Sequence, residues 1–170
     1  MLDKWLIVYE KGRRYVMHRS TKTYGNEVGL SCCFRQWRAD SHCNKLHGYS
    51  LGFRFTFEAA ELDEQNWVYD FGDCKWIKAY LQDKFDHKLV VARDDPILED
   101  EVPVLVLSNI ADIRYMDNVG SEKFAESVYN HVAPKIKERT KGRVSLFSVE
   151  CFEHGANSAS YQNPYGSSVI

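Results

Sequence analysis

The chain has no excess charge of either sign: 22 Lys and Arg stand against 24 Asp and Glu, a formal net charge of −2. Without an overall positive field to gather phosphates, a nucleic-acid partner is not expected. Long apolar runs are missing too. Stretches such as Val102 to Leu107 fall far short of the roughly 20 residues that a helical membrane span needs. The first residues carry no apolar segment followed by a cleavage site, so a cytoplasmic protein with no membrane partner is expected. There are only four prolines and no internal repeat, which excludes collagen-like and low-complexity organisation. The five cysteines are odd in number and form no Cys-x-x-Cys pair, which argues against a disulfide framework and a cysteine zinc knuckle. What remains is a 170-residue chain, 44% hydrophobic and 14% aromatic, expected to fold as one globular domain over residues 1–170.

Hydrophobic periodicity then gives a coarse order of elements. Residues 1–27 read as an extension whose apolar stretches Trp5 to Tyr9 and Tyr15 to Met17 flank a turn, as in a hairpin. Gly29 to about Asp40 reads as a strand. From His47 to Ala59 the chain alternates, with Leu51, Phe53, Phe55 and Phe57 on one face and Ser50, Arg54, Thr56 and Glu58 on the other. The two are expected to be antiparallel neighbours. Trp76, Ile77, Tyr80, Leu81 and Phe85 keep helical spacing. Val102 to Leu107 and Ile113 to Met116 read as short strands. Ser121 is the expected N-cap of a second helix, with Glu122 in its first turn and an end near Pro134. Val144 to Phe152 supplies a last strand. This order predicts an α+β fold, an antiparallel sheet with two helices gathered on one face. The sheet's open edges make a homo-oligomer an expected partner.

Chemistry-bearing residues crowd between Arg38 and Tyr49, where His42, Cys43 and His47 fall within six positions. Strand alternation puts His47 and Tyr49 on the face of Leu51 and Phe53, toward the covered side of the sheet. There His47 reads either as a core histidine bonded to a backbone carbonyl or as a ligand, and Cys43 either as a small buried hydrophobe or as a thiol that works. Asp86 beside His87 has the makings of an oriented acid–base pair. Glu153, just past the last strand, reads either as a solvated loop residue or as a carboxylate that accepts two hydrogen bonds from a guanidine-like ring edge.

Taken in order, these segments resemble the 6-pyruvoyl-tetrahydropterin synthase and 6-carboxy-tetrahydropterin synthase family. The likeness runs from about Cys33 to Tyr161. It is carried by Phe34 to Arg38, Cys43, Leu46-His47-Gly48-Tyr49, Trp67 to Phe71, Phe85-Asp86-His87, Gly120-Ser121-Glu122, and Glu153-His154 with Tyr161 eight residues after Glu153. The family's corresponding pieces are a phenylalanine-led strand ending in histidine, a cysteine, Leu-His-Gly-His, an Asp-Phe pair before a helix, Leu-Asp-His, Thr-Ser-Glu or Thr-Thr-Glu at a helix start, and a strand ending in Glu-Thr. The resemblance implies the tunnelling fold, in which protomers join their sheets into an oligomeric barrel, as a trimer or hexamer with active sites between subunits. It also implies that Cys43 is the general base or a proton shuttle, activated with the help of Asp86 and His87. Glu153 would anchor a small-molecule pterin substrate, and Ser121 and Glu122 would help bind its ring.

The family holds zinc with three histidines, and here the likeness breaks. The first position falls on Arg38 and the third on Tyr49, leaving His47, with His42 as a substitute only if the strand register shifts or the short segment between Arg38 and Cys43 folds it inward. An arginine has no lone pair to give zinc, and a catalytic zinc normally takes three protein ligands. A zinc cofactor is therefore doubtful, and Arg38 and Tyr49 are candidates for contacting substrate oxygens instead. The reading that follows is a lyase like 6-carboxy-tetrahydropterin synthase, acting on dihydroneopterin triphosphate or a related reduced pterin in 7-deazaguanine (queuosine-type) synthesis. The alternatives are 6-pyruvoyl-tetrahydropterin synthase or dihydroneopterin aldolase-like activity, and a non-catalytic pterin- or purine-binding oligomer.

Overall fold

The structure, a computed structural model, describes residues 7–10 and 13–162. Nine strands and three helices are found among them: β1 (Ile7–Glu10), β2 (Arg13–Val16), β3 (His18–Tyr24), β4 (Leu30–Phe34), β5 (His47–Ala59), α1 (Lys75–Phe85), β6 (Lys88–Ala92), α2 (Ile97–Leu107), β7 (Asp112–Met116), α3 (Ser121–Arg139), β8 (Ser145–His154) and β9 (Asn157–Tyr161). β1 and β2 pair antiparallel as a separate two-stranded sheet. Trp5, Leu6, Lys11 and Gly12 of the expected hairpin lie outside the described residues.

The main sheet is built on β5. Its 13 residues are long enough to border two strands in succession along one edge: β3 pairs with Phe53 to Ala59, and β4 with His47 to Leu51, both antiparallel. Between β3 and β4 the chain turns over Gly52, where a Cβ would lie 3.1 Å from the Asn26 backbone nitrogen and 3.2 Å from the Tyr24 carbonyl oxygen. β8 runs antiparallel along the other edge of β5, and β9 follows it. Residues 18–24 thus belong to the main sheet rather than to a separate extension. The expected strand from Gly29 ends at Phe34, and residues 35–46 form a connecting segment with one 3₁₀ turn at His42–Asn44.

On the far side of β4 the sheet is parallel: β6 pairs with β4, and β7 with β6, both in parallel register. The expected all-antiparallel sheet is therefore mixed. β6 is buried along four of its five positions, as parallel strands covered on both faces are. The second correction is at Val102 to Leu107, which is helical. Asp95 turns its carboxylate back to accept the Ile97 N–H at 3.0 Å, and Asn109 leaves the helix with φ of +54°. These start and stop signals outweigh the β-branched composition.

Side-chain alternation sorts the helices between faces. Phe53, Phe55 and Phe57 are fully buried in one core with Ile77, Leu81 and Phe85 of α1 and Phe124, Val128, Val132 and Ile136 of α3. Each such phenylalanine stabilises the fold by roughly 2–3 kcal/mol. Val90 joins this core, whereas its neighbours Leu89 and Val91 pack with Val102, so α2 lies on the opposite face from α1 and α3. α3 also continues past Pro134 to Arg139. Ile136 is fully buried and Arg139 pairs with Asp73 across α1's entry; both tie down the last turn despite the missing N–H.

The segment after β4 is pinned by Arg35, which donates to Asp95 through Nε at 2.8 Å and Nη2 at 2.5 Å. Asp95 is 1% exposed. Burial opposes its charge, but the Arg35 guanidinium and the Ile97 N–H outweigh burial and hold the carboxyl below its usual range. Removing the cation with Arg35→Met leaves that carboxylate buried and unpaired, and is expected to cost about 3 kcal/mol in urea unfolding at pH 7. Because the folded-state value is lowered, the pair's stabilisation is present above the ordinary carboxylate pKa and is lost as pH falls through the folded value. The difference between wild type and variant should therefore shrink in acid; a difference that stays constant down to acid unfolding contradicts the assignment.

Candidate active site

The starts of β5 and α3 and the end of β8 meet at one end of the main core. His47 and Tyr49 project on the same side of β5, their rings 5.6 Å apart at 87°. Phe34 supports both, with ring centroids 4.9 Å from His47 and 6.2 Å from Tyr49, and is itself 5.0 Å from Phe124 at the start of α3. The expected orientation toward the covered face is what the structure shows, although both residues are only half-buried. His47 Nδ1 lies 2.8 Å from the Lys45 carbonyl oxygen, the backbone bond of the core-histidine alternative, which leaves Nε2 as its free ring nitrogen.

β8 brings Glu153 to the same place. The Ser121 hydroxyl donates to Glu153 Oε1 at 3.1 Å. Ser121 is therefore not the N-cap of α3; Gly120 is, and Ser121 opens the helix itself. The positive end of a 19-residue helix then has two carboxyl side chains next to it, Glu122 in the first turn and Glu153 beside Ser121. His154 follows, its ring 6.1 Å from that of Tyr49. Burial raises the Tyr49 phenol above its ordinary pKa, and the nearby Glu153 and Cys43 raise it further. It stays protonated at neutral pH and so keeps an O–H that can donate.

Cys43 lies half-buried in the 3₁₀ turn after Ser41. Its carbonyl accepts the Gln36 N–H at 2.9 Å, which ties the turn to the exit of β4. All five cysteines are free thiols. Burial, then the neighbouring Cys33, pushes Cys32 up to about 12. Burial pushes Cys74 up to about 11 and Cys151 well above the ordinary thiol value, with Cys32, Glu153 and Glu122 adding to the last. These three are packing residues that stay protonated.

Other expected residues lie apart. The Asp86 carboxylate accepts the Ser31 N–H at 3.4 Å and lies 2.7 Å from His87 Nδ1. His87 holds a φ of +54° and its side chain is 84% exposed. The pair meets β4 at Ser31, and the Cys43 turn lies beyond Phe34; that is roughly 10 Å of strand at ~3.3 Å per residue. One chain therefore does not bring Asp86 and His87 to Cys43. Arg38 pairs with Asp94 and lies over the Trp37 ring, 4.3 Å from its centroid. His42 is exposed. No three His, Cys, Asp or Glu side chains converge in metal-binding geometry among the described residues. With Arg38 and Tyr49 in place of two donors, the residues present do not fit the three-ligand zinc of the resembled family.

Sequence reasoning missed Gln36. Its carboxamide nitrogen lies 2.5 Å from where a Cβ on residue 120 would stand, with the Glu122 carboxylate 3.7 Å from the same point. Gln36 thus fills the space that Gly120 leaves, beside the pair Ser121–Glu153. No spacing signal announces this contact, since it joins residues 84 positions apart. Asn26 was missed likewise; its amide donates to the Ser50 carbonyl at 2.5 Å and the Glu153 carbonyl at 3.4 Å.

Comparison with known proteins gives the family. The chain belongs to the 6-pyruvoyl tetrahydropterin synthase family, whose model matches residues 25–164. It is 24% identical over 158 residues to the 6-carboxy-5,6,7,8-tetrahydropterin synthase of Aquifex aeolicus, covering 91% of this chain and 93% of that one. Among solved structures it is similar to an uncharacterized protein from Wolinella succinogenes (TM-score 0.68, 20% identity, 86% and 98% of the two chains). It is also similar to the 6-pyruvoyl tetrahydropterin synthase of Plasmodium falciparum (TM-score 0.61, 14% identity, 86% and 98% of the two chains). The fold is therefore the α+β tunnelling fold expected from the sequence.

Gly120 has a φ of +110°, a region that side chains rarely enter. Gly120→Ala should cost about 1–3 kcal/mol in urea unfolding, from strain and displacement of Gln36. Gly155→Ala, where a Cβ meets nothing within 4 Å, should change stability by less than about 0.5 kcal/mol. Equal effects at the two positions would refute this account.

Proposed function

We propose that the protein is a pterin-processing lyase of the 6-carboxy-tetrahydropterin synthase type, acting on dihydroneopterin triphosphate or a close relative and supplying 7-deazaguanine synthesis. The observation that carries this reading is the hydroxyl–carboxylate pair of Ser121 and Glu153, with the Tyr49 ring at the same end of the core, 6.1 Å from that of His154. An ionised carboxylate accepts a bidentate pair of N–H bonds from a guanidine-like edge. Ser121 takes one lone pair of Oε1 and so fixes the plane in which Glu153 presents the rest. With the ring held there, its side chain extends toward Tyr49 and Cys43. Cys43, as the base, takes up a proton from the side-chain carbon next to the carbonyl that develops. Tyr49 donates to the oxygen on which negative charge accumulates.

Asp86 and His87 enter from a second copy in this reading. The Asp86 carboxylate orients the imidazole through Nδ1 and leaves Nε2 directed outward to exchange the proton with Cys43. That requires an oligomer, which the sheet edges at β7 and β9, unpaired among the described residues, permit. No step is assigned to zinc. Arg38 reaches a substrate oxygen only by leaving Asp94, so Tyr49 is the principal donor.

Turnover of dihydroneopterin triphosphate by the purified chain tests the reading. Cys43→Ala should lower kcat by roughly 10²–10⁴-fold, and Tyr49→Phe by roughly 10²-fold or more. Glu153→Gln should act mainly on KM, by roughly 10-fold or more, through the lost charge-assisted bonds. Elemental mass spectrometry should find no stoichiometric zinc, and chelator should leave the rate unchanged. About one zinc per chain with chelator-sensitive turnover would instead bring His42 to His47 as ligands. Pterin binding without turnover, lost in Glu153→Gln, would favour the non-catalytic binding oligomer.

A further inference from the structure

A concavity of about 360 Å³ opens between the last turn of α1, the end of β7 and the first turns of α3. Lys84, Arg93, Asn118, Lys123, Ser127 and Asn130 line it, and it shares no residue with the group around Tyr49 and Glu153. We propose that this cavity binds the phosphate group of a small molecule, with Lys84 as the cation that the phosphate pairs.

The sequence already arranges the wall. Lys123, Glu126, Ser127 and Asn130 recur at steps of three, one and three, which is a single stripe along α3. The stripe lies outside the buried set Phe124, Ala125, Val128 and Val132. Opposite it, Lys84 comes from the last turn of α1, while Tyr115, Asp117 and Asn118 come from the end of β7 and the turn beyond it.

The charges do not cancel. Of the two acids in the lining, Asp117 is 3.4 Å from Arg93 and Glu126 is 2.6 Å from Lys123. The next acid, Asp83, lies 3.4 Å from Arg114. Lys84 is half-buried and makes no salt bridge among the described residues. Burial pushes its pKa below the ordinary lysine value, Arg114 and Arg93 push it further, and Asp83 opposes them. A partly desolvated cation among cations costs free energy that an incoming anion removes. Three uncharged polar side chains, Asn118, Ser127 and Asn130, complete the wall. Donors arriving from several directions suit a tetrahedral phosphate better than a planar carboxylate, and lysine serves phosphate as a point charge. Tyr115, 42% exposed at the rim, offers a flat surface to the remainder of an ester.

Calorimetric titration of the full chain with inorganic phosphate tests the site, with sodium chloride at matched ionic strength as control. Saturable binding by the wild type, weakened at least 10-fold in Lys84→Met and also in Asn130→Ala, is the expected result. The second variant keeps the test decisive if circular dichroism shows that Lys84→Met fails to fold. Identical isotherms for wild type and variants, or a response reproduced by chloride, would overturn the proposal. A nucleoside monophosphate that binds more tightly than inorganic phosphate would assign the site to an ester, whereas equal affinity would assign it to phosphate itself.

Discussion

The length and alternation of β5 set nearly everything else. A strand half as long would border either β3 or β4, not both, and the sheet would lose either its parallel wing or its N-terminal edge. Because the side-chain period along a strand is two, one register fixes two functions. Phe53, Phe55 and Phe57 face α1 and α3 and fill the core, and the same face at the strand's start carries Tyr49 and His47. A slip of one residue would turn both sets outward together. Core and candidate site are thus a single constraint, read at opposite ends of one strand.

What the sequence disclosed follows the same logic. β5 was legible from His47 to Ala59 because apolar and polar residues alternate there, and α1 because its apolar residues keep helical spacing. β3 was not, since His18 to Tyr24 has polar residues on both faces and owes its place to pairing with β5. α2 misled because Val102 to Leu107 is rich in β-branched residues, while the features that make it a helix lie outside that window, at Asp95 and Asn109. β6 is a short apolar run, and its parallel pairing with β4 is a long-range fact that no local pattern encodes.

The site divides in the same way. The ordered set Cys43, His47, Tyr49, Ser121, Glu122 and Glu153 could be read from motifs, and the fold brings Tyr49, Ser121 and Glu153 to one end of the core. The contact between Gln36 and Gly120 depends on the meeting of two distant loops, so only the structure reveals it. Arg38 shows the reverse limit. Its alignment with a metal-ligand position was clear, but alignment says nothing of Asp94, which engages the guanidinium from the β6–α2 turn. With Arg35 on Asp95 next to it, two ion pairs bind the segment that carries Cys43 to the parallel wing of the sheet.

That binding makes the placement of Asp86 and His87 informative. The parallel wing that holds Arg35 and Arg38 also begins with Lys88, immediately after His87, and its pairing of Lys88 with Cys32 fixes the dyad near the far end of β4. Within one chain that register keeps His87 at the far end of β4 from the turn that carries Cys43, and the buried Arg35–Asp95 pair holds the segment leading to that turn. This separation is why the proposed proton transfer draws Asp86 and His87 from a second copy. Completion between copies also accounts for an otherwise idle arrangement, a histidine with positive φ, oriented by a carboxylate and aimed into solvent.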